Sequence, residues 1–381
     1  MGLLQLIEGL CPPDEVLRVT VSRCLRARSK ASDCRACADL CPAQAITFDG
    51  PRPVSVDEQR CLRCGLCVAA CPTEALELPG LAPVRLLQRS EEQVKSGASK
   101  QPEGQGQACF TCALGPRRAE GGPGAVDVPC LGALSPAVLA TVALRRGSVA
   151  LVTGEPECGA CQIREWGWRA LQCSVEEVRG MIRFFGFNAE VTVTVRLPEE
   201  MRAGREAGPG EEGGRTTSRQ EFLAGMMRGA TRAGVSLLPS FLTGGEQEPE
   251  PSGQPGRRPE PRLPEGRRLL LEAIRAGGPL PTAAPVPGAR AHGALPLGRV
   301  QVSSACEPCD VCSLVCPSGA LGKRLEAAVG AEAAAGVLLH EAGRCLGCGT
   351  CVRACPRHAL VLAAAEDPSE VLGPPNRTVA R

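Results

Sequence analysis

The sequence is poor in large aromatic side chains and in net charge. It has no Tyr, two Trp and seven Phe, and its 43 basic and 41 acidic side chains leave a formal charge of +2. A nucleic-acid-binding protein needs a basic surface or aromatic rings for base stacking, so this class is disfavoured. The chain also has only three His and lacks a Gly-rich phosphate or dinucleotide loop. We therefore expect no nucleic-acid partner and find no evident catalytic residues.

Long apolar runs are absent as well. No stretch approaches the ~18 consecutive apolar residues that a membrane span needs. Residues 1–15 lack the basic start and the apolar core of a secretory signal. The sequence thus predicts a cytoplasmic protein without a membrane span, in a compartment where thiols stay reduced. The 23 Cys of the chain then need an explanation other than disulfides.

Sixteen of these cysteines fall into four runs with a repeated spacing. Three runs have the form C-x2-C-x2-C-x3-C-P, and the other, which starts at Cys24, has nine residues between its first two cysteines. The regular spacing is the ligand pattern of [4Fe–4S] clusters, whereas structural zinc commonly uses two C-x2-C pairs. We therefore predict iron–sulfur clusters. Cys24 is the least regular ligand, and the alternative for it is a spare thiol.

Each pair of runs, over residues 15–80 and 298–363, resembles the two-cluster bacterial ferredoxin. In that family the fourth Cys of one run ligates the cluster of the other run. The resemblance implies a pseudo-twofold α+β fold at each end of the chain and four [4Fe–4S] clusters, numbered I to IV here. The implied ligands are Cys24, Cys34, Cys37 and Cys71 for cluster I; Cys61, Cys64, Cys67 and Cys41 for cluster II; Cys306, Cys309, Cys312 and Cys355 for cluster III; and Cys345, Cys348, Cys351 and Cys316 for cluster IV.

Short strands are expected beside these runs. Apolar segments precede the runs at residues 17–21, 54–56, 299–302 and 337–340, and short turns that pass into strands follow them. The C-terminal pair has 28 residues between Cys316 and Cys345. The Ala-rich residues 323–335 predict a helix in this insertion.

Residues 105–198 predict a different, small α/β module. Strands at 125–128, 148–152 and 191–195 alternate with helices at 135–146 and 162–186, which is the pattern of a parallel sheet. The carboxyl ends of parallel strands meet at one edge, so we expect the cysteines beside them to converge on a further metal centre. Its candidate ligands are Cys109, Cys112, Cys130, Cys158 and Cys161.

The middle module resembles the delta-type iron–sulfur subunit of the methyl-viologen-reducing hydrogenase family. The shared motifs are a C-x2-C pair, a P-C-x-G turn at Cys130 and a later Gly loop with further cysteines. The Gly loop departs from the family because Glu155 stands where the family often has Cys. A [4Fe–4S] cluster, a [2Fe–2S] cluster and a structural zinc held by two C-x2-C pairs are all open for this centre.

Residues 199–297 are rich in Gly, Pro, Glu and Arg and predict a disordered linker. Two short helices interrupt it, one after the capping box that begins at Ser218 and one at residues 267–275. An Arg-rich patch in the linker is interpreted as solvated, with an acidic partner or nucleic acid as the alternative. The patch consists of Arg257, Arg258, Arg262, Arg267 and Arg268. Residues 366–381 predict a disordered tail.

Together the sequence predicts an α+β protein with two ferredoxin-like dicluster modules around a small α/β module. The predicted domains are residues 1–100, 105–198, 199–297, 298–365 and 366–381. The predicted function is single-electron transfer through about four [4Fe–4S] clusters and a further metal centre, as a carrier or subunit that works with redox partner proteins or oxidoreductase subunits. The alternatives are an oxidoreductase with an open iron site near Glu155 or Glu157, and a cluster-assembly or storage protein.

Overall fold

The computed structural model describes residues 17–48, 50, 52–96, 107–112, 125–153, 156–159, 161–195, 260–277, 298–307, 309–326, 335–365, 367–373 and 376–379. The linker helix predicted after Ser218 and the residue Glu155 lie outside these ranges. In the described part of the chain, no helix has both the length and the apolar content that crossing a membrane requires. All described residues fall within one structural unit of the chain.

The N-terminal module, residues 17–96, places each cysteine run between two short strands. Its elements are β1 (Arg18–Val19), α1 (Leu25–Arg28), α2 (Ala36–Asp39), β2 (Ile46–Thr47), β3 (Ser55–Val56), α3 (Leu66–Ala70), β4 (Leu76–Glu77) and α4 (Pro83–Ser96). β1 pairs with β4, and β2 pairs with β3, both antiparallel. The strand before the first run therefore pairs with the strand after the second, which brings the two runs side by side.

The middle module is a four-stranded parallel sheet with helices packed on it. Its elements are β5 (Ala108–Cys112), β6 (Val126–Val128), α5 (Pro136–Arg146), β7 (Ser148–Val152), α6 (Arg164–Phe184) and β8 (Glu190–Thr194). The strand order is β6-β5-β7-β8, and every pairing is parallel. Ser135 caps α5 and Gly147, at a φ of 78°, ends it, as the sequence predicts.

One strand of this sheet was not predicted. The sequence places Cys109 and Cys112 in a loop ahead of the first strand, whereas the structure has them in β5, between β6 and β7. β5 forms because its backbone bonds to two neighbouring strands and its apolar residues are buried in the core, as Phe110 is. Its sequence, A-C-F-T-C, lacks the strict alternation of apolar and polar residues that indicates a half-buried strand.

A single described helix of the linker, α7 (Glu265–Ala276), lies between the modules. It matches the helix predicted at residues 267–275. α7 packs along α5 of the middle module, and Leu270, Leu271 and Ile274 are buried in the shared core. This part of the linker is therefore folded, because its amphipathic face has a partner surface within the chain.

The C-terminal module, residues 298–379, repeats the topology of the N-terminal module. Its elements are β9 (Gly298–Val302), α8 (Val311–Val315), β10 (Leu321–Glu326), β11 (Ala335–His340), α9 (Thr350–Ala354), β12 (Leu360–Ala364), α10 (Pro368–Leu372) and β13 (Asn376–Val379). β9 pairs with β12, and β10 pairs with β11, again antiparallel. β13 extends the second sheet by pairing with β11.

Two predictions for this module are wrong. The helix predicted at 323–335 is wrong where the structure describes that segment: residues 323–326 belong to β10 and Ala335 begins β11, while residues 327–334 lie outside the described ranges. The register of the two strands runs from the Leu321–His340 pair to the Glu326–Ala335 pair. Hydrogen bonds between the two strands outweigh the helix propensity of alanine, which is a weak preference. The tail predicted to be disordered contains α10, capped by Asp367, and β13 on the sheet edge. The edge of β11 offers backbone partners that composition alone does not reveal.

Candidate metal centres

Three of the four cysteine runs curve around a small cavity that also receives the fourth cysteine of the neighbouring run. The antiparallel pairing of the flanking strands causes this exchange, because it sets the end of one run against the start of the other. Three cavities are lined by four thiols each: Cys24, Cys34, Cys37 and Cys71; Cys41, Cys61, Cys64 and Cys67; and Cys306, Cys309, Cys312 and Cys355.

The fourth thiol set, that of cluster IV, is recognised from its electrostatics. The thiols of Cys345, Cys348 and Cys316 all lie close enough to Cys351 for a charge on them to raise the pKa of the Cys351 thiol. The structure thus brings together all four sets that the ferredoxin resemblance implies. Cys24, despite its nine-residue spacing, lies in the set of cluster I.

A recurrent backbone turn follows the last cysteine of every run. The third residue after that cysteine has a positive φ: 49° at Gln44, 50° at Glu74, 67° at Gly319 and 48° at His358. In three runs the next backbone N–H donates to the cysteine Sγ, at N–S distances of 3.3, 3.2 and 3.4 Å for the runs that end at residues 41, 71 and 355. Such N–H groups stabilise a thiolate and are one means of tuning a cluster's potential.

Burial makes these thiols hard to ionise unless a cation is present. Burial raises the pKa of the Cys37 thiol to about 12 and that of Cys345 to about 11, and neighbouring thiols add to the rise at Cys37. At Cys345 the Arg267 guanidinium lowers the pKa, against the effect of burial. Metal ligation requires the thiolate. The positive charge of bound iron would favour the thiolate form of these buried cysteines and so offset the effect of burial on their pKa. Four thiols around one cavity fit the donor set of a [4Fe–4S] cluster.

The middle module gathers four of its five candidate cysteines at one edge of the sheet. Cys112, Cys130, Cys158 and Cys161 line one cavity. The Cys112 thiol donates to the Pro129 carbonyl across 3.4 Å, and a hydrogen bond with Cys112 is the main cause that raises the pKa of Cys130. As predicted, the ends of parallel strands position these thiols, together with the loop before α6.

Cys109 does not join this set. Side chains three residues apart in a strand point to opposite faces of the sheet, so Cys109 and Cys112 diverge. Cys109 is fully buried against Ala150 and Val152 on the other face, and burial raises the pKa of its thiol to about 12. The five predicted candidates thus reduce to four in one place, because the C-x2-C pair lies in a strand rather than a loop.

Glu157, one of the two acids proposed for an open iron site, is exposed at the rim of the middle module. Its carboxylate pairs with Arg164 at 2.8 Å, and it is not among the residues that line the thiol cavity. Over the ranges that the structure covers, no group of three or more His, Cys, Asp or Glu side chains is arranged to hold a single metal ion.

The five thiol sets lie next to one another in a single series. A charge on Cys64 of set II contributes to the raised pKa of Cys130 in the middle module. Cys37 of set I affects Cys67 of set II in the same way. The same kind of influence connects set IV with set I, through Cys348 and Cys34. It connects set IV with set III through Cys351 and Cys312.

The packing gives the same neighbours. α3 contacts both α2 and the turn Leu131–Ala133 after Cys130, and α8 contacts α9. Arg353 of α9 pairs with Asp33, beside Cys34, so the order is middle, II, I, IV, III.

One functional side chain was misassigned from sequence. Arg267 was placed in a solvated patch, yet it is only 3% exposed, and its Nη2 donates to the carbonyl of Cys345. Its spacing to Leu270, Leu271 and Ile274 is that of one helix face, which is the signal that could have identified it. Arg268, the next residue, stays exposed and pairs with Glu272.

Comparison with known protein families supports the dicluster domains at the two ends of the chain. Residues 32–75 match a model of the 4Fe–4S dicluster domain, and residues 305–360 match a second such model. Searches of curated proteins and of solved structures gave no significant match. Neither family match extends into residues 105–198, so the resemblance of the middle module to the delta-type subunit stays a prediction. The chain is an iron–sulfur electron-transfer protein with 4Fe–4S dicluster domains at both ends.

Proposed function

We propose that the protein is a single-electron relay with four [4Fe–4S] clusters and a fifth iron–sulfur centre in the middle module. Its ligands would be the four thiol sets described above together with Cys112, Cys130, Cys158 and Cys161. When bound, each cluster takes up and releases one electron. The chain itself holds the clusters, orders them in series and shields the inner ones from water. This shielding follows from burial at Cys64, Cys67 and Cys351.

The observation that carries this proposal is the unbroken series of thiol sets. Neighbouring sets are joined by direct packing of the elements that carry their cysteines or, between sets I and IV, by the Asp33–Arg353 ion pair. A storage or assembly protein gains nothing from such a series, since it releases its clusters to an acceptor. An electron relay depends on it, because electrons must pass between adjacent centres.

The two ends of the series differ in exposure, and we propose that redox partners meet the protein there. At the set III end, Cys309 is exposed, and Leu314 in α8 of the same run is 52% exposed. At the other end, Cys158 and Cys161 are half-buried in the loop before α6. An exposed thiolate edge allows a partner protein to approach the cluster, so the protein would act as a carrier or subunit of an oxidoreductase complex. The delta-type resemblance of the middle module agrees with a subunit role.

Metal analysis of the anaerobically purified full chain tests the proposal. We expect ~16 Fe per chain from four clusters, and up to ~20 if the middle centre is also a [4Fe–4S] cluster. The matched variants are Cys112→Ala and Cys109→Ala. The first should lose the middle centre, whereas the second should retain it because Cys109 faces the other side of the sheet.

The outcomes separate the alternatives clearly. If the middle module contains zinc instead of iron, and this zinc is lost in Cys112→Ala but not in Cys109→Ala, the middle centre is a structural zinc site. Equal loss of metal in both variants would contradict the proposed ligand set. Fewer than four clusters reducible by dithionite, or intact transfer of clusters to an apo acceptor protein, would overturn the relay.

A further inference from the structure

Arg267 is a buried cation at the junction of the modules. Arg267 is only 3% exposed, and its guanidinium donates a hydrogen bond to the Cys345 carbonyl. A buried guanidinium is costly unless negative charge lies nearby. A cubane held by four thiolates supplies such charge, since the complex is a net anion.

The position of Arg267 is fixed from the opposite side by the N-terminal module. α7 begins against Glu74, whose carboxylate accepts the N–H groups of Glu265 at 2.7 Å and Gly266 at 2.8 Å. Gly266 allows this approach, because a Cβ there would lie 2.9 Å from Glu74 Oε1. The helix is thus anchored at its start to the turn after Cys71, and Arg267, the residue after Gly266, reaches the Cys345 carbonyl of set IV from the first turn of α7.

Set IV differs from set III of the same module in the burial of the cation beside it. The other cations near both sets are paired with acids: Arg344 with Glu341 at 3.9 Å and Arg353 with Asp33 at 3.1 Å beside set IV, and Arg357 with Glu307 at 2.6 Å and Lys323 with Asp310 at 3.2 Å beside set III. Such paired surface charges largely cancel. The buried guanidinium of Arg267 therefore distinguishes the surroundings of set IV.

We propose that Arg267 is a positioning residue that raises the reduction potential of cluster IV, so that electrons on the relay collect at the junction of the two dicluster modules. This inference rests on the proposed function. Reduction makes the cluster more negative, and a fixed cation in a low-dielectric site stabilises the reduced form more than the oxidised form. Partner proteins would therefore meet a relay that retains an electron at cluster IV, inside the series, rather than at the exposed set III end.

EPR-monitored redox titration of the full-length, anaerobically purified protein tests this role. Arg267→Gln removes the charge, and Arg268→Gln, on the exposed face of the same helix, is the matched control. We expect one cluster transition to move to a lower potential in Arg267→Gln, and none to move in Arg268→Gln. The transition that moves should be the one that is missing in a Cys351→Ala variant, which identifies it as cluster IV.

Arg267→Lys keeps the charge and guards against a folding defect. If Arg267→Gln does not retain its iron, a potential close to that of the wild type in Arg267→Lys supports the electrostatic role. An Arg267→Lys protein with all clusters and a lowered cluster IV potential would overturn it. The inference also fails if Arg267→Gln keeps four clusters at unchanged potentials, or if Arg268→Gln causes an equal shift. Fewer than four clusters in the wild type would instead refute the relay itself.

Discussion

The N-terminal and C-terminal modules share one strand topology and differ in where they carry additional residues. In both, the strand before the first run pairs with the strand after the second, and the two inner strands pair with each other. The N-terminal module has its insertion inside a ligand run, at residues 25–33. The C-terminal module has its insertion between the runs, where it lengthens the β10–β11 hairpin. The common topology maintains the thiol sets, and the insertions serve other contacts.

The N-terminal insertion faces the C-terminal module. Leu25 of α1 is buried, and Asp33, at the end of the insertion, forms an ion pair with Arg353 at 3.1 Å. Next to it, Cys34 is close enough to Cys348 for the two thiols to interact electrostatically. The irregular spacing after Cys24 therefore accompanies the contact that joins set I to set IV. An insertion at a ligand loop can thus couple two modules without altering the ligand set.

The largest effect is expected from removing equivalent ligands in the two modules. Cys67 and Cys351 are the third cysteines of the second run in their modules. Cys67→Ala and Cys351→Ala should each abolish one cluster's EPR signal and remove up to about four Fe. The signals of the other module should persist, because each thiol set is drawn from one module. Loss of signals in both modules from either single variant would show that the modules do not assemble independently.

Acid should destabilise the C-terminal module selectively through His340. This residue is 2% exposed, and neither ring nitrogen has a hydrogen-bond partner among the described residues. Burial lowers the pKa of His340 from 6.5 to about 4. Its contribution to stability is therefore intact above pH 6.5 and is lost as the pH falls toward 4, with about 2 kcal/mol lost by pH 5. The equivalent position in the N-terminal module, five residues before the run, is Val56.

His340→Val makes the two modules alike at this position and should remove that pH dependence. Anaerobic denaturant titrations at pH 7 and pH 5 measure the free energy of unfolding of the wild type and the variant. His358→Asn, at an exposed histidine of the same module, serves as the control and should behave as the wild type. A His340→Val protein that loses as much stability as the wild type between the two pH values contradicts this assignment.

The smallest effect concerns the turn after the first run of each module. Gly319 and Gln44 occupy equivalent positions, at φ values of 67° and 49°. Gln44→Gly should stabilise the protein by about 1 kcal/mol, because a left-handed conformation is unfavourable for residues with a Cβ. Gly319→Ala should destabilise it by about 1 kcal/mol for the same reason, and its Cβ would meet that of Pro261 at 3.2 Å. If the two substitutions change the free energy of unfolding in the same direction, this account of the turn is contradicted.

Sequence patterns succeeded where the structural rule is local. The spacing of the runs predicted cluster-binding loops, and apolar periodicity predicted α5, β7, α6 and β8 of the middle module within about two residues. The same patterns failed at β5 and at residues 323–326. At both places the chain pairs with other strands, and backbone pairing outweighs local propensity.

The sequence by itself indicated an iron–sulfur cofactor and three ligands in each regular run, because three thiolates at fixed short spacing define a loop that a cubane fits. The assignment of the fourth ligand rests on the resemblance to the two-cluster ferredoxin. Only the tertiary structure decided the rest. It turned Cys109 away from Cys112, since a strand alternates its faces. It also buried Arg267 beside Cys345 and left Arg268 in solvent. Which thiol sets are neighbours, and which charges lie near them, depends on packing between segments far apart in the chain, and no local pattern records that packing.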